Sequence, residues 1–144
     1  MTQFSFDLDH FLPYLLNQAA ELTAKRFEQV YRTKNGLTRT KWRIISHLGS
    51  TGAMTAARLS HTEKTKISRA VGALQTEGLV LRVPSTTDRR TETLQLTSAG
   101  EALFASLSQE AAAFDRQLRA LIGAEAATRL EEALKRLVES PIVK

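Results

Sequence analysis

The chain has 144 residues, 42% of them hydrophobic, no cysteine, and a net charge of +5. That length suits one compact domain or a small domain with helical extensions, and the composition is that of a folded chain rather than a disordered one. The lack of cysteine excludes disulfides, thiolate metal sites, nucleophilic thiols and sulfenic-acid sensing.

No apolar run approaches the ~20 residues of a membrane helix. The opening MTQFSFDLDH has neither the basic start nor the apolar stretch of a signal peptide, so the expected location is the cytoplasm. His10, His47 and His61 are scattered rather than spaced as metal ligands. A Gly-rich phosphate loop and a Gly-x-Ser-x-Gly elbow are both absent, so neither an enzyme nor a cofactor is expected.

In chain order, the segment from about Asp9 to Thr33 reads as a helix. Leu12, Leu15, Leu16, Ala19, Leu22, Phe27, Val30 and Tyr31 recur at three- and four-residue spacings and form one stripe. Pro13 keeps the regular helix from starting much before Phe11, and Gly36 suits the left-handed position just past its end. Thr38 is a good N-cap for a second helix through Trp42, Ile45 and Leu48, closed by Gly49-Ser50-Thr51-Gly52. A short helix or turn at Thr55–Ser60 precedes a further helix at Glu63–Glu77, which Gly78 ends.

The period then changes to two. Val80–Val83 and Thr93–Leu96 read as strands joined by the polar loop 84–91, which predicts a hairpin. Ser98-x-x-Glu101 has the form of a capping box opening a long helix to about Ile122. Gly123 breaks it, and Leu130, Leu134 and Leu137 mark a last helix before Pro141. The expected fold class is mostly α with a small β-hairpin wing. It is a winged helix-turn-helix at 35–97, flanked by an N-terminal helix at 1–34 and C-terminal helices at 98–144.

Charge follows the same division. Residues 1–34 are neutral overall, residues 35–97 carry ten basic against four acidic side chains, and residues 98–144 have a net charge of −1. Concentrating the excess in one block points to a polyanionic partner. On a helical wheel Ile67, Ala70, Val71 and Leu74 fall on one side of the 63–77 helix. Thr65, Lys66, Ser68, Arg69, Gly72 and Thr76 face the other way, with Lys64 near the N-terminal end. Arginine can pair bidentately with guanine, hydroxyls can reach base edges or phosphates, and glycine permits close approach. A solvated amphipathic helix would show a similar wheel. Arg89-Arg90 at the hairpin tip, with Asp88 able to orient one of them, adds a second element suited to the minor groove.

These residues resemble the MarR family of winged-helix regulators. The segment Asp88-Arg89-Arg90-Thr91-Glu92-Thr93-Leu94-Gln95-Leu96-Thr97-Ser98-Ala99-Gly100 is similar to that family's wing, strand and Leu-Thr-x-x-Gly helix opening. Lys64 to Val71 with Leu74 and Gly78-Leu79-Val80 resembles its recognition helix, and Leu37-Thr38 through Trp42-Arg43 and Leu48 its second helix. The resemblance implies a homodimer held by the terminal helices, binding double-stranded DNA at a palindromic operator. It implies major-groove roles for Lys64, Thr65, Lys66, Ser68 and Arg69, and wing roles for Asp88, Arg89 and Arg90, with Arg90 in the minor groove and Asp88 its ion-pair partner.

The resemblance also implies repression relieved by a small aromatic or phenolic acid. Tyr14, Trp42, Arg43, His47 and Phe104 are candidates to line such a pocket. The plainer reading makes Trp42 and Phe104 core residues and Arg43 a surface or ion-paired one. The chain departs from the family between Leu59 and Ser68, where it is about three residues, nearly a helical turn, short, so the third helix is expected to be cut down. A winged-helix module that binds protein, and a non-specific architectural DNA binder, are the rival readings.

Overall fold

The computed structural model describes residues 5–59, 64–85 and 91–141, with the side chains of residues 64 and 65 outside that description. A 3-10 turn at Leu8–His10, capped by Asp7, leads into α1 (Leu12–Asn35). Pro13 lies in the first turn of α1, where a missing N–H costs nothing. Gly36 ends the helix at φ 65°, as the sequence predicts. Next come α2 (Arg39–Thr51), β1 (Met54–Thr55), α3 (Ala56–Leu59) and α4 (Lys64–Thr76). They are followed by β2 (Val80–Pro84), β3 (Glu92–Leu96), α5 (Ser98–Ile122) and α6 (Ala124–Glu139). Thr38 caps α2 by accepting from the Lys41 N–H at 3.2 Å.

Three observations depart from the sequence reading or refine it. The hairpin is part of a three-stranded antiparallel sheet in the order β1-β3-β2, because Met54 and Thr55 pair with Leu94 and Thr93. Two residues give too short a run to show an alternation, so β1 has no signature of its own. The third helix is described over Ala56–Leu59, and the shortened turn expected after it, at Ser60-His61-Thr62, lies outside the described residues.

The cap of α5 is Thr97 rather than Ser98. Its Oγ1 accepts from the Gly100 N–H at 3.0 Å and donates to the Gly78 carbonyl at 2.6 Å. Glu101 is thereby one position beyond the site a capping box requires. Gly100 is buried, and a Cβ built there would lie 2.1 Å from the Leu79 carbonyl oxygen. The Thr97 N–H donates to that same oxygen at 3.0 Å, so the start of α5 is sewn onto the α4–β2 turn.

The chain forms two compact units, Met1–Leu107 and Ser108–Lys144. The first is built on one core of Tyr31, Leu37, Ile44, Ile45, Leu48, Met54, Ala70, Val71, Leu74, Val80, Leu94 and Leu107. It draws on α1 and α5 as well as on the winged segment, so packing runs across the sequence boundaries at 34 and 97. Phe27, Tyr31 and Trp42 add an aromatic cluster with ring centroids 5.2–5.6 Å apart. Burial, more than the nearby Glu28, pushes the Tyr31 phenol above its usual pKa.

The second unit is the C-terminal part of α5 with α6. Arg119 pairs with Asp115 at 2.7 Å and with Glu131 across the two helices, and Lys135 holds Glu131 at 3.0 Å. The hydrogen bonds from Arg119 and Lys135 keep the Glu131 carboxyl below the usual carboxylate range. No helix among the described residues is long and apolar enough to cross a membrane.

The reassigned cap gives a direct expectation. Thr97→Ala should cost about 1–2 kcal/mol of unfolding free energy, whereas Ser98→Ala should stay within about 0.5 kcal/mol of the parent. Urea denaturation of both variants checks this, and equal losses would contradict the cap.

Candidate nucleic-acid interface

Helix α4 packs against α2, and this packing decides which side of it faces out. Val71 and Leu74 are fully buried and Ala70 nearly so, while Ile67 is half-buried against the same core. The aliphatic side read from the wheel is therefore the side that packs. Lys66, Ser68 and Arg69 are exposed on the other. Ser68 and Arg69 make no side-chain hydrogen bond or ion pair among the described residues. Beside them Gly72 faces open space, with no atom within 4 Å of a Cβ built on it. The backbones of Lys64 and Thr65 belong to the first turn of α4; their side chains lie outside the description.

The β2–β3 ribbon leaves this core at Val80 and Leu94, 2% and 0% exposed. Its register pairs Val80 with Leu96, Arg82 with Leu94 and Pro84 with Glu92, and the Ser85 N–H donates to the Thr91 carbonyl at 2.9 Å. Asp88, Arg89 and Arg90 lie outside the described residues, so their wing roles remain expectations.

Ion pairs remove part of the central positive charge. Lys41 pairs with Glu77, Arg82 with Glu92, and Arg39 with Glu21 on α1. Arg43, Arg58 and Arg69 have no ion-pair partner among the described residues. The sequence reading counts Lys41 and Arg82 only as charge. In the structure both hold the C-terminal end of α4: Lys41 reaches Glu77, and the Arg82 Nε donates to Gln75 Oε1 at 2.9 Å. The alternation of β2 carried a usable signal, since a residue two along from buried Val80 shares its face.

Among the described residues the five effector candidates lie at several places on α1, α2 and α5. Tyr14 is half-buried on α1, its hydroxyl accepting from Gln18 at 2.9 Å. Trp42 stacks on Tyr31 as part of the core, the plainer of its two readings. Arg43 is exposed. His47 borders a cavity of about 240 Å³ with Thr51, Met54, Arg58 and Leu59. Phe104 packs on Gly49 and borders a separate cavity of about 450 Å³ with Leu48, Gln95, Leu96 and Glu101. On α2, Arg43 and His47 are one turn apart while Trp42 is rotated about 100° toward the core.

Comparison with known proteins agrees with this architecture. Residues 35–91 match the model of the MarR family. The homoprotocatechuate degradative operon repressor of Escherichia coli is 26% identical over 130 residues, covering 88% of this chain and 87% of the repressor. The crystal structure of the MarR family transcriptional regulator SPO1453 from Silicibacter pomeroyi DSS-3 is 29% identical with a TM-score of 0.81, covering 94% of this chain and 98% of that one. The structure of NadR in complex with 4-hydroxyphenylacetate shares the fold at 24% identity and a TM-score of 0.79, covering 98% and 100%. With this core, a three-stranded sheet and a solvent-facing α4, the chain is similar over most of its length to MarR family winged helix-turn-helix regulators, and residues 35–91 match that family's model.

Proposed function

We propose that the protein is a cytoplasmic DNA-binding repressor that acts as a homodimer on an inverted-repeat operator and is released by a small aromatic or phenolic acid. In this reading α4 enters the major groove through Lys64, Thr65, Lys66, Ser68 and Arg69. The wing enters the minor groove through Arg90, with Asp88 holding it and Arg89 beside it. The observation that carries the reading is the outward face of α4: Arg69 and Ser68 are exposed without internal partners beside the open Gly72. A guanidinium with no carboxylate to satisfy it suits a guanine edge or a phosphate.

Repression is supported by the Escherichia coli relative, which is named as an operon repressor. An aromatic acid effector is supported by the complex of NadR with 4-hydroxyphenylacetate. Support for the homodimer comes from the terminal helices. Helix α1 has 24 residues, yet only Tyr31 is buried, and Leu12, Leu15 and Leu22 are 70%, 40% and 50% exposed. In α6 only Ala127 is buried, while Leu130, Leu134, Leu137 and Val138 are exposed. Apolar stripes of this extent call for a partner, since helices owe most of their stability to packing.

Arg69→Ala should weaken binding to the preferred duplex by ~1–3 kcal/mol and relax sequence preference. Arg90→Ala should weaken binding while sedimentation still shows a dimer. Equal losses on preferred and random duplex would favour the non-specific architectural reading, and no binding to either would favour a protein-binding module.

Gly72→Ala separates stability from recognition. With open space at that position, the substitution should raise folding stability by about 0.5–1 kcal/mol. The same methyl should lower duplex affinity if α4 lies against a groove. A more stable variant with unchanged affinity would remove this part of α4 from the interface.

Leu121, 75% exposed on α5, tests the dimer. The parent should sediment as a dimer at micromolar concentration and prefer half-sites about 34 Å apart. Leu121→Glu should give a monomer that has lost that spacing preference; a monomeric parent would overturn the assembly.

A further inference from the structure

We propose that Arg82 is a positioning residue that fixes the angle between α4 and the β2–β3 ribbon, so that helix and wing meet a duplex in one set relation. The use of that angle rests on the DNA-binding reading; the geometry does not. The polar atoms of Arg82 join both elements. Its Nε donates to Gln75 Oε1 on α4 at 2.9 Å, and its Nη1 lies 3.5 Å from Glu92 Oε2 on β3.

Arg82 stands where the hydrophobic contact stops. Val80 and Leu94 are sealed in the core, and Arg82, directly opposite Leu94, is the next residue on the Val80 face of β2. Glu92, opposite Pro84, lies on that face one step further toward the loop. Inside this point apolar packing holds the ribbon. Outside it β1 reaches one step further, with Thr55 opposite Thr93. Beyond that β2 and β3 form a two-stranded ribbon, which is marginal by itself, while each further residue adds about 3.3 Å of lever arm. A guanidinium is suited to this place because its planar fork holds two acceptors in a fixed relation, which a lysine ammonium does not.

The tie contributes little to global stability. Arg82 and Glu92 are 36% and 49% exposed, and solvent-exposed pairs are weakly stabilising. Its effect is on angle, so removing it should alter reading more than folding.

The test uses the full chain, which lacks native cysteine and accepts spin labels at Ser68→Cys on α4 and Pro84→Cys on β2. Labelled chain is diluted with unlabelled chain, so that only distances within one chain are read by pulsed electron resonance. Arg82→Met, which keeps the length and removes the donors, should broaden or shift the distance distribution. Arg82→Lys should be intermediate. Gln75→Met should behave like Arg82→Met, and the double variant should be no worse than either single, because both remove one contact.

In the unlabelled chain, Arg82→Met should lower affinity for the preferred duplex by about tenfold and for random duplex by less than about twofold. An unchanged distance distribution overturns the proposal. So does an equal loss on both duplexes with a salt dependence reduced by one charge, which would make Arg82 a phosphate ligand. If the parent prefers no duplex, the DNA-binding reading falls, while the distance measurement still decides whether Arg82 sets the angle.

Discussion

The structure of the winged unit depends on the burial of Val71 and Leu74. These residues of α4 are wholly inside, in one cluster with Ile44, Ile45 and Leu48 of α2. Removing a pair of β- and γ-branched side chains from water contributes on the order of 3–6 kcal/mol relative to leaving them exposed. Ser68 and Arg69 on the opposite face make no internal side-chain contact among the described residues that competes with that. A helix cannot turn both faces inward, so burying this side leaves Lys66, Ser68 and Arg69 outside. The surface chemistry is a consequence of the packing.

The ribbon is held to the same core by a graded set of contacts. Val80 and Leu94 anchor its base, and β1 adds a third strand against β3. Thr97 and Gly100 then join the start of α5 to the turn between α4 and β2. Gly100 has no Cβ because the Leu79 carbonyl occupies that space, and Thr97 satisfies two backbone groups with one hydroxyl. The Leu-Thr-x-x-Gly sequence is thus a close contact between the beginning of a helix and the end of another element. Beyond the apolar base the join becomes polar, through Gln75, Arg82 and Glu92.

The terminal helices follow a different logic. Only the C-terminal end of α1 is buried, through Tyr31 and the rings of Phe27 and Trp42, and its earlier turns carry exposed leucines. In the C-terminal unit, charged side chains of Asp115, Arg119, Glu131 and Lys135 border an apolar groove formed by Leu118, Ile122, Leu130 and Leu134. Charged rims around apolar strips favour a defined mate over general adhesion, because an incorrect partner leaves ion pairs desolvated and unmatched.

The sequence alone determined the helices, the hairpin and the facing of α4. Their signals are local: the three- and four-residue apolar spacing, Thr38 and Gly36 at helix ends, and the change to a period of two after Gly78. It also carried the resemblance to the MarR family, because the residues of that resemblance are contiguous in the chain. Only the tertiary structure decided the rest. Strand β1 is too short to show a period and exists because β3 offers it an edge. Thr97 and Ser98 are both good caps, and the choice between them was made by the Gly78 carbonyl, nineteen residues away. Trp42 lies in the core because Tyr31 of another helix stacks on it, which no spacing within α2 could reveal. Arg82 read as one charge among ten; its two partners are seven and ten residues off and meet it only once the ribbon has folded against α4. Contacts set by distance in space leave no period in the chain, and those are the contacts the sequence could not supply.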